Sequence, residues 1–253
     1  MSSLDFSHYT IYDSSKIQLL KYLRFNYAVI SSGLILFGFF WNRFEGFNWK
    51  YVALIISFFF ANVFGFVVND FYDASSDSEE YSKQKRNVFC FNNTRRLGKT
   101  VLYASLVLSL SLGGLVSTSM LLTIVLFDIL ALSYSAPPVK LRSRPYWDWI
   151  FVFLWKGIII FAGYSYFFGI RFPKEPFMLA TLVIVLLPSL ISQINNQIRD
   201  FEIDKITNAN NSVQHLGLHN ALFINRVLTI SFYVFSFVFS CYLGRSLILY
   251  LAS

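Results

Sequence analysis

Asn69, Asp70, Asp73 and Asp77 stand at the end of a long apolar run with the spelling NDxxDxxxD. On a helix, Asn69, Asp73 and Asp77 recur every four residues and Asp70 precedes Asp73 by three, so four oxygen-bearing side chains share one face. Carboxylates that close repel one another unless a cation lies among them. Mg2+ suits the pattern, because it takes a few carboxylate oxygens and completes its octahedron with water and substrate phosphates.

A second copy stands at Asn196, Asp200 and Asp204, each 127 residues after its counterpart Asn69, Asp73 or Asp77, as an internal duplication would leave it. Glu202 adds a further acid beside it. Two acid-bearing helix ends can hold two metals, or one diphosphate between metals, and Asp73 and Asp200, central in each motif, are the candidate catalytic acids. The cations Lys85, Arg86, Lys140, Arg142 and Arg199 are suited to the phosphate oxygens that metals leave open. A solvated charged loop explains an isolated run of this kind, but not a repeated spacing.

The elements that must carry these residues follow from composition. Of 253 residues, 55% are hydrophobic, 19% aromatic and only 14% charged, which departs from soluble domains and predicts an all-α, polytopic membrane bundle. A crossing needs roughly 20 apolar residues, so one domain over 1–253 accommodates seven to eight spans. They are expected at about 22–41, 49–68, two between 102 and 134 with a turn near 113–119, 149–170, 177–194 and 222–243. The mixed polar residues through Ile17 predict a surface arm rather than a signal peptide. Residues 245–253 form a half-length tail: an interfacial segment, a cap or the stub of an eighth span. The paired Pro137 and Pro138 end the fourth span.

Four spans separate the two acidic motifs, which returns the chain to the same side. Fifteen of the 21 Lys and Arg fall on that side, so the positive-inside rule predicts that both motifs face the cytoplasm. This loop-sorted charge accounts for the net +7 without nucleic acid. Cys90 and Cys241 make no disulfide framework and are expected to pack. Asp128 and Lys156 lie inside spans, where ionisable groups are costly; they are functional candidates, or else they pair with each other or snorkel. His215 and His219, lacking a third ligand, are expected at the surface.

Acidic motifs at the mouth of an apolar bundle suit a substrate with a charged head and a greasy tail, such as a prenyl diphosphate. Once metals and cations stabilise the departing diphosphate, the C1–O bond can ionise to an allylic cation. Such a cation needs a dry, π-rich wall worth roughly 0.5–2 kcal/mol per ring. Tyr134, at the site-facing end of its span, is the candidate wall residue.

Together these residues resemble the UbiA superfamily of intramembrane prenyltransferases. The first motif is similar to its NDxxDxxxD signature, the second to its second Asp-rich motif, and Tyr134 to Arg142 (YSAPPVKLR) to its YSxPPxRLK stretch, followed by Asp148 where the family often has an acid. Arg24 and Asn26 resemble the Arg and Asn that open its first helix. The resemblance covers about residues 22–217. It implies a bundle around a central lipid-open cavity, with two Mg2+ ions under a cytosolic cap. It assigns Asn69, Asp70, Asp73, Asp77, Asn196, Asp200 and Asp204 to metals and diphosphate, Lys140 and Arg142 to the diphosphate, and Asn26 to substrate.

Two departures stand out. Family members usually have nine spans, so part of the cavity wall is expected to be missing here or supplied by a partner. After Asp204 the family commonly has a Gly and a Thr, where this chain has Asn208 and Ser212. The expected activity is Mg2+-dependent prenyl transfer to an aromatic or lipid/isoprenoid acceptor. The alternatives are a cyclase of the same fold acting on the diphosphate alone, and a transporter or lipid-binding scaffold.

Overall fold

Among the described residues, six helices are long and apolar enough to cross a membrane, and a shorter apolar helical run, Phe25–Gly38, precedes them. The structure, a computed structural model, describes residues 24–41, 48–79, 81–170, 176–206 and 209–251; the arm through Ile17 and Asn208 lie outside them. The elements are α1 (Phe25–Ser32), a 3-10 turn (Gly33–Ile35), α2 (Leu36–Trp41), α3 (Trp49–Asp77), α4 (Tyr81–Gln84), α5 (Asn92–Val116) and α6 (Thr118–Ser135). A second 3-10 turn (Leu141–Ser143) leads to α7 (Trp147–Phe168), α8 (Pro176–Arg199), α9 (Phe201–Ile206), α10 (Ser212–Leu216) and α11 (Leu218–Leu251). No strand occurs among the described residues.

The bundle is organised on α3. Asn48 caps its start, accepting from the N–H of Lys50 at 3.0 Å and of Tyr51 at 3.4 Å. Its 29 residues measure about 43 Å at 1.5 Å per residue, against about 30 Å of hydrocarbon. The last turns, which carry Asn69 to Asp77, therefore stand beyond the apolar layer. α5 packs closely along α3 because its inward face is small: Gly98, Ser105, Ser109 and Gly113 are buried. The Ser57 hydroxyl donates to the Ser109 carbonyl at 2.5 Å. Phe58, Ile124, Phe127, Trp155 and Ile159 fill the core between α3, α6 and α7.

Two expected boundaries are met by recognisable chemistry. The turn between the third and fourth spans falls at Ser117, whose extended backbone breaks the helix and whose hydroxyl accepts from Met120 N–H at 3.1 Å. At the other end of the bundle, α6 stops at Ser135, before the two prolines. The first span differs from expectation, since a 3-10 turn interrupts it at Gly33–Ile35. Just beyond, α2 crosses α7 so closely that a Cβ at Gly38 or Gly163 would strike the backbone opposite. Through Leu251 the tail prolongs α11, a single helix of 34 residues.

The intramembrane charges do not pair with each other among the described residues. Asp128 accepts from the Ser109 hydroxyl at 3.2 Å, while Lys156 donates to the Ser31 hydroxyl at 2.5 Å. Cys90 and Cys241 are free thiols; Cys90 is half-buried against the Ala74 carbonyl, but Cys241 is exposed on α11, so packing describes only the first. His215 and His219 are exposed.

Candidate functional site

The carboxyl ends of α3, α6 and α8 and the amino ends of α1 and α7 meet at one end of the bundle, and each contributes polar groups. In α3 the four-residue spacing holds: Asn69 Nδ2 donates to Asp73 Oδ2 at 3.0 Å. Asn69 Oδ1 in turn accepts from the Ser135 hydroxyl of α6 at 3.1 Å. Asp70 and Asp73 are buried, and each faces an arginine from elsewhere in the chain. Arg24 lies 2.5 Å from Asp70 Oδ1, and Arg142 pairs with Asp73 Oδ1. Asp70 Oδ2 is buried and has no hydrogen-bond partner among the described residues. Asp77 Oδ2 accepts from Asn87 Nδ2 at 2.9 Å, and the same amide donates to the Asp70 carbonyl at 2.7 Å.

The second motif is built differently. Helix α8 ends at Arg199 and Asp200 occupies a turn before α9, so a helix break falls at the motif's centre. The face nevertheless survives: Asp200 N–H donates to the Asn196 carbonyl at 3.0 Å, and Asp204 N–H to the Asp200 carbonyl at 2.8 Å. Asp204 Oδ2 accepts from Asn211 Nδ2 at 2.7 Å. Burial pushes the Asp204 carboxyl up, opposed by Asn211 and by the charges of Lys83 and Arg142. Arg142 therefore bears on both motifs, bonded to Asp73 and acting through space on Asp204.

Among the proposed phosphate-binding cations, Arg142 occupies the centre. Arg199 is exposed and folds back on its own motif, 3.3 Å from Asp200 Oδ1 and 3.1 Å from Asn196 Oδ1. Lys85 lies over the Tyr81 ring at 4.1 Å, Arg86 is exposed and Lys140 is half-buried. Asn26 is exposed in the first turn of α1. Arg24, Lys140 and Tyr146 all have positive φ (47°, 40° and 68°), a region that costs a side-chain-bearing residue about 1–3 kcal/mol. All three lie at this end of the bundle, where chain turns aim Arg24 and Arg142 inward.

Tyr134 stacks on Phe151, with ring centroids 3.9 Å apart. Phe151 continues to Trp155 at 5.2 Å and Trp155 to Phe127 at 4.1 Å. An aromatic column thus descends from the polar end into the bundle. Cavities among the described residues lie away from this end, lined by other side chains. An apolar groove of about 420 Å³ lies between α8 and α11, and a mixed cavity of about 490 Å³ lies at the opposite end, beside Asn48 and Tyr166.

Sequence spacing misses Lys83, Ser135, Asn87 and Asn211, which hold motif residues. Ser135 falls within the YSAPPVKLR stretch and Lys83 between the first acidic motif and α5, but spacing along the chain names no contact for either. Asn211 carries no spacing signal.

The donors suit Mg2+: they are hard oxygens, one buried carboxylate oxygen of Asp70 is unsatisfied, and cations alternate with acids as an anionic co-ligand requires. Among the described residues no three His, Cys, Asp or Glu side chains cluster closely enough to hold an ion by themselves. An ion here would draw its remaining ligands from water and phosphate.

A sequence model of the UbiA prenyltransferase family matches residues 32–253. No curated protein matches the chain by sequence. Among solved structures, it is similar to a UbiA homologue from Archaeoglobus fulgidus bound to GPP and Mg2+, with a TM-score of 0.69 and 22% identity over 88% of this chain and 78% of that one. It is similar also to the apo structure of a UbiA homologue from Aeropyrum pernix K1, with a TM-score of 0.67 and 17% identity over 83% and 77%. A structure of digeranylgeranylglyceryl phosphate synthase gives a TM-score of 0.60 and 18% identity over 87% and 75%.

Proposed function

Because this chain belongs to the UbiA prenyltransferase family, we propose that it transfers a prenyl group from a prenyl diphosphate to an aromatic or lipid/isoprenoid acceptor within the membrane. The donor's C1–O bond breaks and its electron pair leaves with diphosphate. C1 joins a nucleophilic atom of the acceptor, which gives up a proton.

The observation that carries this reading is the interleaving of charge at one end of an apolar bundle: Arg142 on Asp73 and Lys83 3.9 Å from Asp200. Carboxylates paired with cations in this way are poised to exchange partners with a metal-bound diphosphate, the acids taking metal and the bases taking phosphate. Asn69, Asp70, Asp73 and Asp77 would hold one ion, and Asn196, Asp200 and Asp204 a second. Mg2+, when bound, neutralises the diphosphate and makes it a better leaving group. Lys85, Arg86, Lys140, Arg142 and Arg199 would supply the remaining charge and Asn26 a substrate contact. Tyr134, backed by Phe151, offers the developing allylic cation a π face. The distribution of Lys and Arg supports a cytoplasmic position for this end.

The test is diphosphate release by the purified protein in detergent, with and without Mg2+, across prenyl diphosphates of increasing length, with products identified by mass. Mg2+-dependent release that requires an added membrane lipid extract or aromatic acid is the expected result. Release without any acceptor would establish a cyclase or hydrolase instead. No release under any condition would overturn the enzyme reading.

A further inference from the structure

Asp148, in the first turn of α7, is fully buried, and the proposed chemistry gives it no part. Its two oxygens nevertheless collect donors from three places in the chain. Oδ2 accepts from Gln197 Nε2 of α8 at 2.5 Å and from Ser212 N–H at 3.1 Å. Oδ1 accepts from the Ser212 hydroxyl and from Trp149 N–H at 2.9 Å.

These partners lead to the second acidic motif. Gln197 lies within it, between Asn196 and Asp200, and its Oε1 accepts from Trp149 Nε1 at 3.0 Å, which fixes the orientation of the amide. Ser212 follows Asn211, whose amide holds Asp204 Oδ2 at 2.7 Å. From the same short helix, Gln214 Nε2 donates to the Phe201 carbonyl, next to Asp200, at 2.5 Å. One buried carboxylate thus ties α7 to both sides of the helix break at Asp200. The first motif needs no such device, because it lies in one continuous helix.

We infer that Asp148 is a positioning residue that sets the second acidic motif, holding Asn196 and Asp200 through Gln197 and Asp204 through the Ser212–Asn211 turn. The inference rests on the proposed use of that motif to bind metal and diphosphate. Groups bonded directly to metal ligands, as Asn211 is to Asp204, typically change metal affinity by about 10- to 100-fold when lost, and Asp148 acts by holding the turn that carries Asn211. A buried carboxylate serving four donors cannot be replaced by an amide without turning one acceptor into a donor that faces another donor.

The test compares wild type with Asp148→Asn and Ser212→Ala by hydrogen–deuterium exchange on metal-free protein and by Mg2+ titration of diphosphate release. The expected result for Asp148→Asn is about tenfold faster exchange over residues 198–214 with none over 69–77. The Mg2+ concentration for half-maximal rate should rise about tenfold or more, with a smaller change in donor KM. Ser212→Ala, which removes one hydroxyl, should shift both readouts less and in the same direction, and it decides the matter if Asp148→Asn does not fold. Wild-type exchange over 198–214 in the folded variants would overturn the inference. So would equal loosening of both motifs, which would mark a general structural role. Failure of wild type to release diphosphate would sink the proposed function alone, since the exchange measurement still judges the clamp.

Discussion

The Lys83 ammonium, in the short helix that follows the first acidic motif, lies 3.9 Å from the Asp200 carboxylate at the centre of the second. The pair joins two halves of the chain that share a spacing but are separated by four membrane-spanning helices. Both side chains are about one-third exposed, so their attraction adds little to stability, in the range of about 0–1 kcal/mol for surface ion pairs. What the contact provides is a positive charge above the second motif.

Lys83→Met should therefore leave the melting temperature nearly unchanged and lower kcat/KM for the prenyl diphosphate roughly tenfold or more, the effect of losing one charge-assisted bond to phosphate. Kinetics beside a thermal melt in detergent will check it. An equal loss of stability would show that the lysine serves the fold instead.

Asp73→Ala and Asp200→Ala should each abolish turnover while the protein remains folded. Chelation of divalent ions should do the same to wild type, and added Mg2+ should restore only wild type. Near-wild-type activity in either variant would remove the basis for a two-part metal site.

Tyr134 separates aromatic from polar contributions. Tyr134→Phe keeps the stack on Phe151 and loses only the hydroxyl, so kcat should fall a few-fold at most. Tyr134→Leu removes the π face, worth about 0.5–2 kcal/mol to a nearby cation, so kcat should fall about 2- to 30-fold. Single-turnover measurement keeps product release from masking the difference.

Gly163 bears on the scaffold rather than the site. A side chain there meets the Ile35 backbone, which has no flexible end to move aside. Gly163→Val should lower stability by about 1–3 kcal/mol or more, read as a drop in melting temperature. Gly157→Ala, on the same helix with no described atom within 4 Å of the added Cβ, serves as the control.

The sequence by itself determined what local chemistry controls: the long apolar helices, the break near Ser117, the stop before Pro137 and the four-residue faces of the acidic motifs. Hydropathy and helical periodicity act over one or two turns and need no knowledge of neighbours. The same local rule did not locate the helix break at Asp200, where the face persists, or show that residues 245–251 prolong α11. Only the tertiary structure decided which charges meet. The pairings of Arg24 with Asp70, Arg142 with Asp73 and Lys83 with Asp200, and the tie from Asp148 to Ser212, depend on how helices distant in the chain pack side by side. Side chains that far apart in sequence are brought together by burial of apolar surface and by small-residue crossings such as Gly38 on Gly163, and spacing along the chain carries no record of that.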